Sequence, residues 1–148
     1  MAATMLTAAP LLLLGEPAAG LDVVTRTDIW RWLIELAGRG HGVVIATHDL
    51  AEAERVRHLG WRGPILLLEG VFEARDLDLC SRLGLWHAVH CDEQIDMLAA
   101  HKTQVPHRVF LKMNSGMNRL GFTPQRYRAA WARLNALPQV DEISFMTH

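Results

Sequence analysis

FLKMNSGMNRLGF, Phe110 to Phe122, has a lysine near the end of an apolar run and an arginine seven residues later. Between Lys112 and Arg119 lie Asn114, Gly116, Asn118 and two methionines. Period-two alternation puts Lys112 on the strand face of Phe110, opposite Leu111 and Met113. Glycine and asparagine tolerate positive φ, so the segment after the strand can fold Arg119 back over the strand end. A lysine held there has its charged form disfavoured twice, by desolvation and by the neighbouring guanidinium. A neutral amine can add carbon dioxide and become a carbamate, which is anionic.

Outward from this stretch, short apolar runs alternate with helical patterns. Leu11–Leu14, Gly42–Thr47, Pro64–Gly70, Leu85–His90, Arg108–Met113 and Glu142–Thr147 read as buried parallel strands. Val23–Arg39, Leu50–Leu59, Ala74–Leu83, Asp92–His101 and Thr123–Ala136 read as the helices between them. In the last helix Thr123 suits the N-cap and Pro124 the first turn. Tyr127, Ala130, Trp131 and Leu134 then share one apolar face. Repeated strand–helix units imply an α/β fold with a parallel sheet or part of a barrel, its ligands at the C-terminal strand ends.

The composition narrows the function classes. At 148 residues, half of them hydrophobic, the chain has the size and apolar content of one folded domain. A formal charge of -1 gives no general attraction to nucleic acid or anionic membrane. Cys80 and Cys91 have neither disulfide-framework nor zinc spacing and are expected as buried thiols in a reducing cytosol. The N-terminal MAATMLTAAPLLLLGEPAAG lacks a basic start, and Gly15 and Glu16 stop its apolar run. No stretch approaches the roughly 20 apolar residues of a bilayer span, so a cytoplasmic protein without membrane insertion is expected. His87 and His90, three apart on a strand, fall on opposite faces, and no metal site is expected from them. Trp30, Trp32 and Trp131 read as core or partner-facing aromatics.

KMNSGMNRLGF resembles the alanine racemase family, whose members are pyridoxal-phosphate enzymes with an N-terminal (β/α)8 barrel. GWRGPILLLEGVFEARDLDLC, HAVHCDEQIDML and LPQVDEISFMTH resemble successive strand–helix segments of that barrel, in the same order. The resemblance runs from about residue 57 to residue 148 and implies a partial TIM-type barrel. It also implies that Lys112 is carbamylated and, as an anion, holds Arg119 by hydrogen bonds. Arg119 would then face the substrate carboxylate and the phenolic oxygen of the cofactor. His148, in the MTH motif, is implied beside the cofactor ring.

Residues 1–56 resemble something else, with the join between 42 and 56. LLLLGEP, AAGLD and ATHD look like the Walker B strand, D-loop and switch histidine of an ABC-transporter ATPase. That likeness would make Glu16 the group polarising water and His48 the γ-phosphate sensor. Gly15 stands where that family has its Mg2+-supporting aspartate, and no GxxxxGK[ST] loop or LSGGQ-type signature is present. Read by their residues alone, Glu16 and Asp22 are a strand-end acid and a helix N-cap.

The racemase resemblance implies interconversion of L- and D-alanine for cell-wall synthesis, a small amino acid as substrate and a homodimer at full length. It places the cofactor lysine in a KANAYGHG-like segment on the first strand, and the catalytic tyrosine in a β-domain after the barrel. Neither segment is found in these residues; GRGHG, Gly38 to Gly42, lacks the lysine. The expectation is a racemase fragment, inactive alone, with about half the barrel strands and open sheet edges. The alternative is an ATPase fragment, or a fused non-enzymatic remnant acting as an interaction module.

Overall fold

The computed structural model describes residues 11–147. Six strands alternate with five helices: β1 (Leu11–Gly15), α1 (Val23–Gly38), β2 (Gly42–Thr47), α2 (Leu50–His58), β3 (Ile65–Leu67), α3 (Ala74–Leu83), β4 (Trp86–Val89), α4 (Asp92–Ala100), β5 (His107–Met113), α5 (Pro124–Asn135) and β6 (Val140–Thr147). The strands form one parallel sheet in the order β1-β2-β3-β4-β5-β6. An order without reversal puts the crossover helices on one face, which is how the wall of a (β/α) barrel is built. Six strands are more than the half-barrel expected, because the segment before residue 57 supplies β1 and β2 in barrel order.

Local chemistry sets the element ends. Asp22 accepts from the backbone N–H groups of Val24 and Thr25, and Asp49 from those of Ala51 and Glu52, so α1 and α2 both start on a carboxylate cap. Pro124 occupies the first turn of α5; Thr123 stands at its N-cap position but makes no side-chain capping bond. β3 is shorter than the apolar run around it. Pro64 has no N–H for the ladder, and after Leu67 the chain turns at Gly70, whose N–H donates to the Leu67 carbonyl. Gly70 has φ +73, and a Cβ there would lie 2.1 Å from the Ala88 carbonyl oxygen.

One apolar core runs the length of the sheet. Trp30 and Leu33 of α1 and Val43 and Ile45 of β2 join Ala53 and Val56 of α2, Ile65 of β3, Leu77 of α3, Leu98 of α4, Val109 and Leu111 of β5, and Leu134 of α5. In α5 it is Ala130 and Leu134 that are buried and Tyr127 half-buried; Trp131, expected on that face, is exposed. Trp30 is core and Trp32 exposed. Burial pushes the Cys80 thiol up to about 12, whereas Cys91 is only partly covered. Among the described residues no helix is long and apolar enough to cross a membrane.

Candidate functional site at the strand ends

The C-terminal ends of the strands converge on a cavity of about 190 Å3 lined by Glu16, His48, Leu68, Glu69, Lys112, Arg119, Leu120 and Met146. Its floor comes from β5 and β6, where Lys112 and Met146 are register partners. Lys112 is 2% exposed, and its Nζ donates to the Leu68 carbonyl at 2.6 Å. Desolvation lowers its pKa, Arg119 adds to that effect, and Glu69 opposes it. The direction agrees with the expectation from sequence; the Glu69 carboxylate is an addition.

The loop after β5 is closed by backbone. Phe122 N–H donates to the Lys112 carbonyl and Asn114 N–H to that of Phe122, both at 2.9 Å. Inside it the Asn114 side-chain oxygen accepts from the N–H groups of Gly116 and Asn118, each at 3.1 Å. Gly116 has φ +141 and Asn118 φ +58, so the left-handed turn falls on residues that tolerate it. This geometry brings Arg119 to the cavity wall. Arg119 is exposed and makes no hydrogen bond or ion pair among the described residues, so its planar fork is open to a ligand.

The opposite wall comes from β1 and β2. Glu16, at φ +48 just after β1, accepts from His48 N–H at 2.6 Å and from His48 Nδ1 at 2.8 Å. That bond and the charge of Glu16 raise the pKa of His48. Leu12↔Val43 and Gly15↔Ala46 set the register that brings the two residues together. Sequence reading named both and did not pair them, since the contact spans 32 positions. Glu69 was missed; the signal for it was an acid directly after the LLL run of β3 and before a turn glycine. His87 and His90 are indeed separate: His87 Nε2 lies 3.2 Å from His107 Nδ1, and His90 Nε2 lies 3.0 Å from the Glu69 carbonyl. His148, implied as a cofactor contact, lies outside the described residues.

A one-directional parallel sheet with its crossover helices on one face is the build of a (β/α)-barrel wall, and here a buried lysine and an open arginine line its strand ends. A family model, "Alanine racemase, N-terminal domain", matches residues 34–148. The chain belongs to the alanine racemase family. It is 92% identical over 100 residues to the alanine racemase of Acidovorax sp. strain JS42, a match covering 68% of this chain and 27% of that protein. To the alanine racemase of Delftia acidovorans it is 89% identical over 138 residues, covering 86% and 37%. The crystal structure of biosynthetic alanine racemase from Pseudomonas aeruginosa superposes with a TM-score of 0.77 at 34% identity, over 93% of this chain and 37% of that one. This chain thus spans about a quarter to somewhat over a third of these relatives. The structural match covers 93% of the chain and so extends ahead of residue 34, where β1 and the start of α1 share the barrel arrangement.

Alanine racemases as a family use pyridoxal phosphate. The resemblance puts its lysine on the first strand, but β1 ends at Gly15, and the next residue, Glu16, is engaged by His48. The chain has two lysines. Lys102 lies between α4 and β5, at the other end of the sheet, and Lys112 is bonded to the Leu68 carbonyl. These residues do not fit the covalent attachment of the cofactor, and no step through it follows from them.

Proposed function

We propose that these residues are the carboxylate-positioning half of an alanine racemase, and that the 148-residue chain is inactive alone. The observation supporting this is that Lys112, buried at the end of β5, and Arg119, brought round by the closed loop, line one cavity. In this reading Lys112 reacts as the neutral amine with carbon dioxide: Nζ bonds to the carbon, a proton leaves, and an anionic carbamate results. The carbamate nitrogen keeps an N–H for the Leu68 carbonyl, and its oxygens accept from Arg119. Arg119, so oriented, presents its remaining N–H groups to a substrate carboxylate. The whole protein would interconvert L- and D-alanine in the cytoplasm as a homodimer, with His148 beside the cofactor ring.

The division of the chain belongs to the same proposal. Several relatives match over 100 residues of this chain, while the family model begins at residue 34 and the Delftia acidovorans relative covers 86% of it. In this reading the join lies inside the 42–56 interval, with ATPase-like sequence before it. The meeting of Glu16 and His48 is compatible with that ancestry. Gly15 supplies no carboxylate for Mg2+, however, and the phosphate-cradling loop is not found in these residues, so ATP binding is not expected.

The test combines three measurements on the purified chain. Added pyridoxal phosphate is expected to give no visible aldimine absorbance and no D-alanine. Carbon-13 bicarbonate is expected to give a carbamate resonance that Lys112→Arg removes. Propionate is expected to bind, and Arg119→Gln to abolish its binding. Aldimine absorbance together with D-alanine formation would overturn the inactivity; propionate binding that survives Arg119→Gln would overturn the role of Arg119.

A further inference from the structure

The cavity holds more charge than carboxylate positioning requires. Four ionisable groups besides His48 line it: Lys112 and Arg119, Glu16 and Glu69. Glu16 is engaged by His48, and Lys112 by the Leu68 carbonyl. Two groups of opposite sign remain open. Arg119 has no bonded partner among the described residues, and neither does the carboxylate of Glu69. Glu69 is nonetheless close enough to raise the pKa values of His48 and Lys112. It is half-buried and held by its own backbone: its carbonyl accepts from the Gln94 side chain at 3.1 Å and lies 3.0 Å from His90 Nε2. The carboxylate therefore extends from a fixed strand end.

An open guanidinium and an open carboxylate in one small cavity complement a ligand that bears both charged groups on one carbon. We propose that Glu69 is the ammonium-binding residue of this cavity, so that the chain holds a small α-amino acid as the free zwitterion without covalent attachment. The ligand carboxylate lies on Arg119, and in this the inference rests on the reading above. Its ammonium lies on Glu69, which that reading does not use. Leu68, Leu120 and Met146 leave an apolar patch for the side chain, and about 190 Å3 favours a small one. A simple carboxylate engages Arg119 but meets repulsion from Glu69, and a simple amine engages Glu69 alone.

Calorimetry on the full chain separates the two ends, with L-alanine, propionate and isopropylamine as probes and His48 imidazole shifts as a site reporter. Alanine is expected to bind about tenfold more tightly than propionate, the usual gain from one charge-assisted hydrogen bond. Glu69→Gln is expected to lower alanine affinity about tenfold. It is also expected to raise propionate affinity, because a repulsive charge is removed. Thermal melts of the variant check that it folds. Equal affinity of the wild type for alanine and propionate would overturn the role of Glu69, as would a Glu69→Gln chain that binds alanine unchanged. Absence of propionate binding, with alanine binding retained and sensitive to Glu69→Gln, would overturn Arg119 alone. If no probe binds or shifts His48, both assignments fail.

Discussion

At the scale of single residues, the site depends on positions where only one kind of backbone fits. Gly121 has φ +115, and a Cβ there would lie 2.5 Å from the Asn114 amide nitrogen and 2.7 Å from the Met113 carbonyl carbon. Those atoms are backbone and belong to the closure that brings Arg119 to the cavity. Gly121→Ala is therefore expected to cost about 2–3 kcal/mol, from a strained φ together with a contact that cannot relax. Urea unfolding reads the stability, and propionate titration reads the displacement of Arg119. A variant as stable as wild type with unchanged propionate affinity would show that the loop closes in another way. Much of this was legible beforehand, because Gly116 and Asn118 announce a positive-φ turn and alternation announces the face of Lys112. Glu69 was legible only as an acid after an apolar run: nothing in one strand's sequence tells which neighbouring strand end it will face.

At the scale of elements, the strands and helices fall close to where periodicity and caps put them, since buried parallel strands and capped helices leave local signals. What periodicity does not carry is contact between elements, and the histidines show this. Asp78 of α3, His101 after α4, His107 of β5 and His87 of β4 form one hydrogen-bonded chain with spacings of 3.0, 2.9 and 3.2 Å. The Asp78 carboxylate can only accept, so His101 Nε2 donates to it, His107 Nε2 donates to His101, and His87 Nε2 donates to His107. His87 Nδ1 is then an acceptor, buried and without a partner among the described residues. A proton can enter only at that nitrogen or by breaking a link. Accordingly, desolvation and then the neighbouring rings lower His87 to about 3 and His107 to about 4. Both folded values lie below the ordinary 6.5, so the unfolded chain binds more protons in acid. Stability tied to these rings is present above about pH 6.5 and falls as pH drops toward 4 and then 3. Between pH 7.5 and 5 the expected loss is on the order of a few kcal/mol. Urea midpoints at the two pH values measure it, and His87→Leu is expected to shrink the difference. An undiminished difference in that variant would assign the acid sensitivity elsewhere.

At the scale of the whole molecule, the six strands form one sheet, and the family match from residue 34 and the structural match ahead of it fall on the same barrel wall. Periodicity allowed this without requiring it, because any apolar β-α-β unit satisfies the same binary pattern. Its sequence determines what it brings to the strand ends, here Glu16 and His48, while its buried side chains determine whether it belongs to the core. Trp30, Leu33, Val43 and Ile45 are each no more than 4% exposed, and they share one cluster with Ala53, Val56 and Ile65. Removing residues before Asp49 would uncover the β3 edge that pairs with β2 and take Trp30, Leu33, Val43 and Ile45 out of the core cluster that holds Ile65 and Val56. Each large apolar side chain so uncovered forfeits about 1.5–3 kcal/mol, and several together exceed the margin of a domain this size. A 49–148 chain is therefore expected to lose cooperative thermal unfolding and to associate through its bare edge, while the 148-residue chain melts in one transition. Calorimetry and light scattering on both chains measure this. A cooperative, monomeric 49–148 chain with an unchanged melting temperature would make the first β-α-β unit an appendage rather than part of the barrel wall.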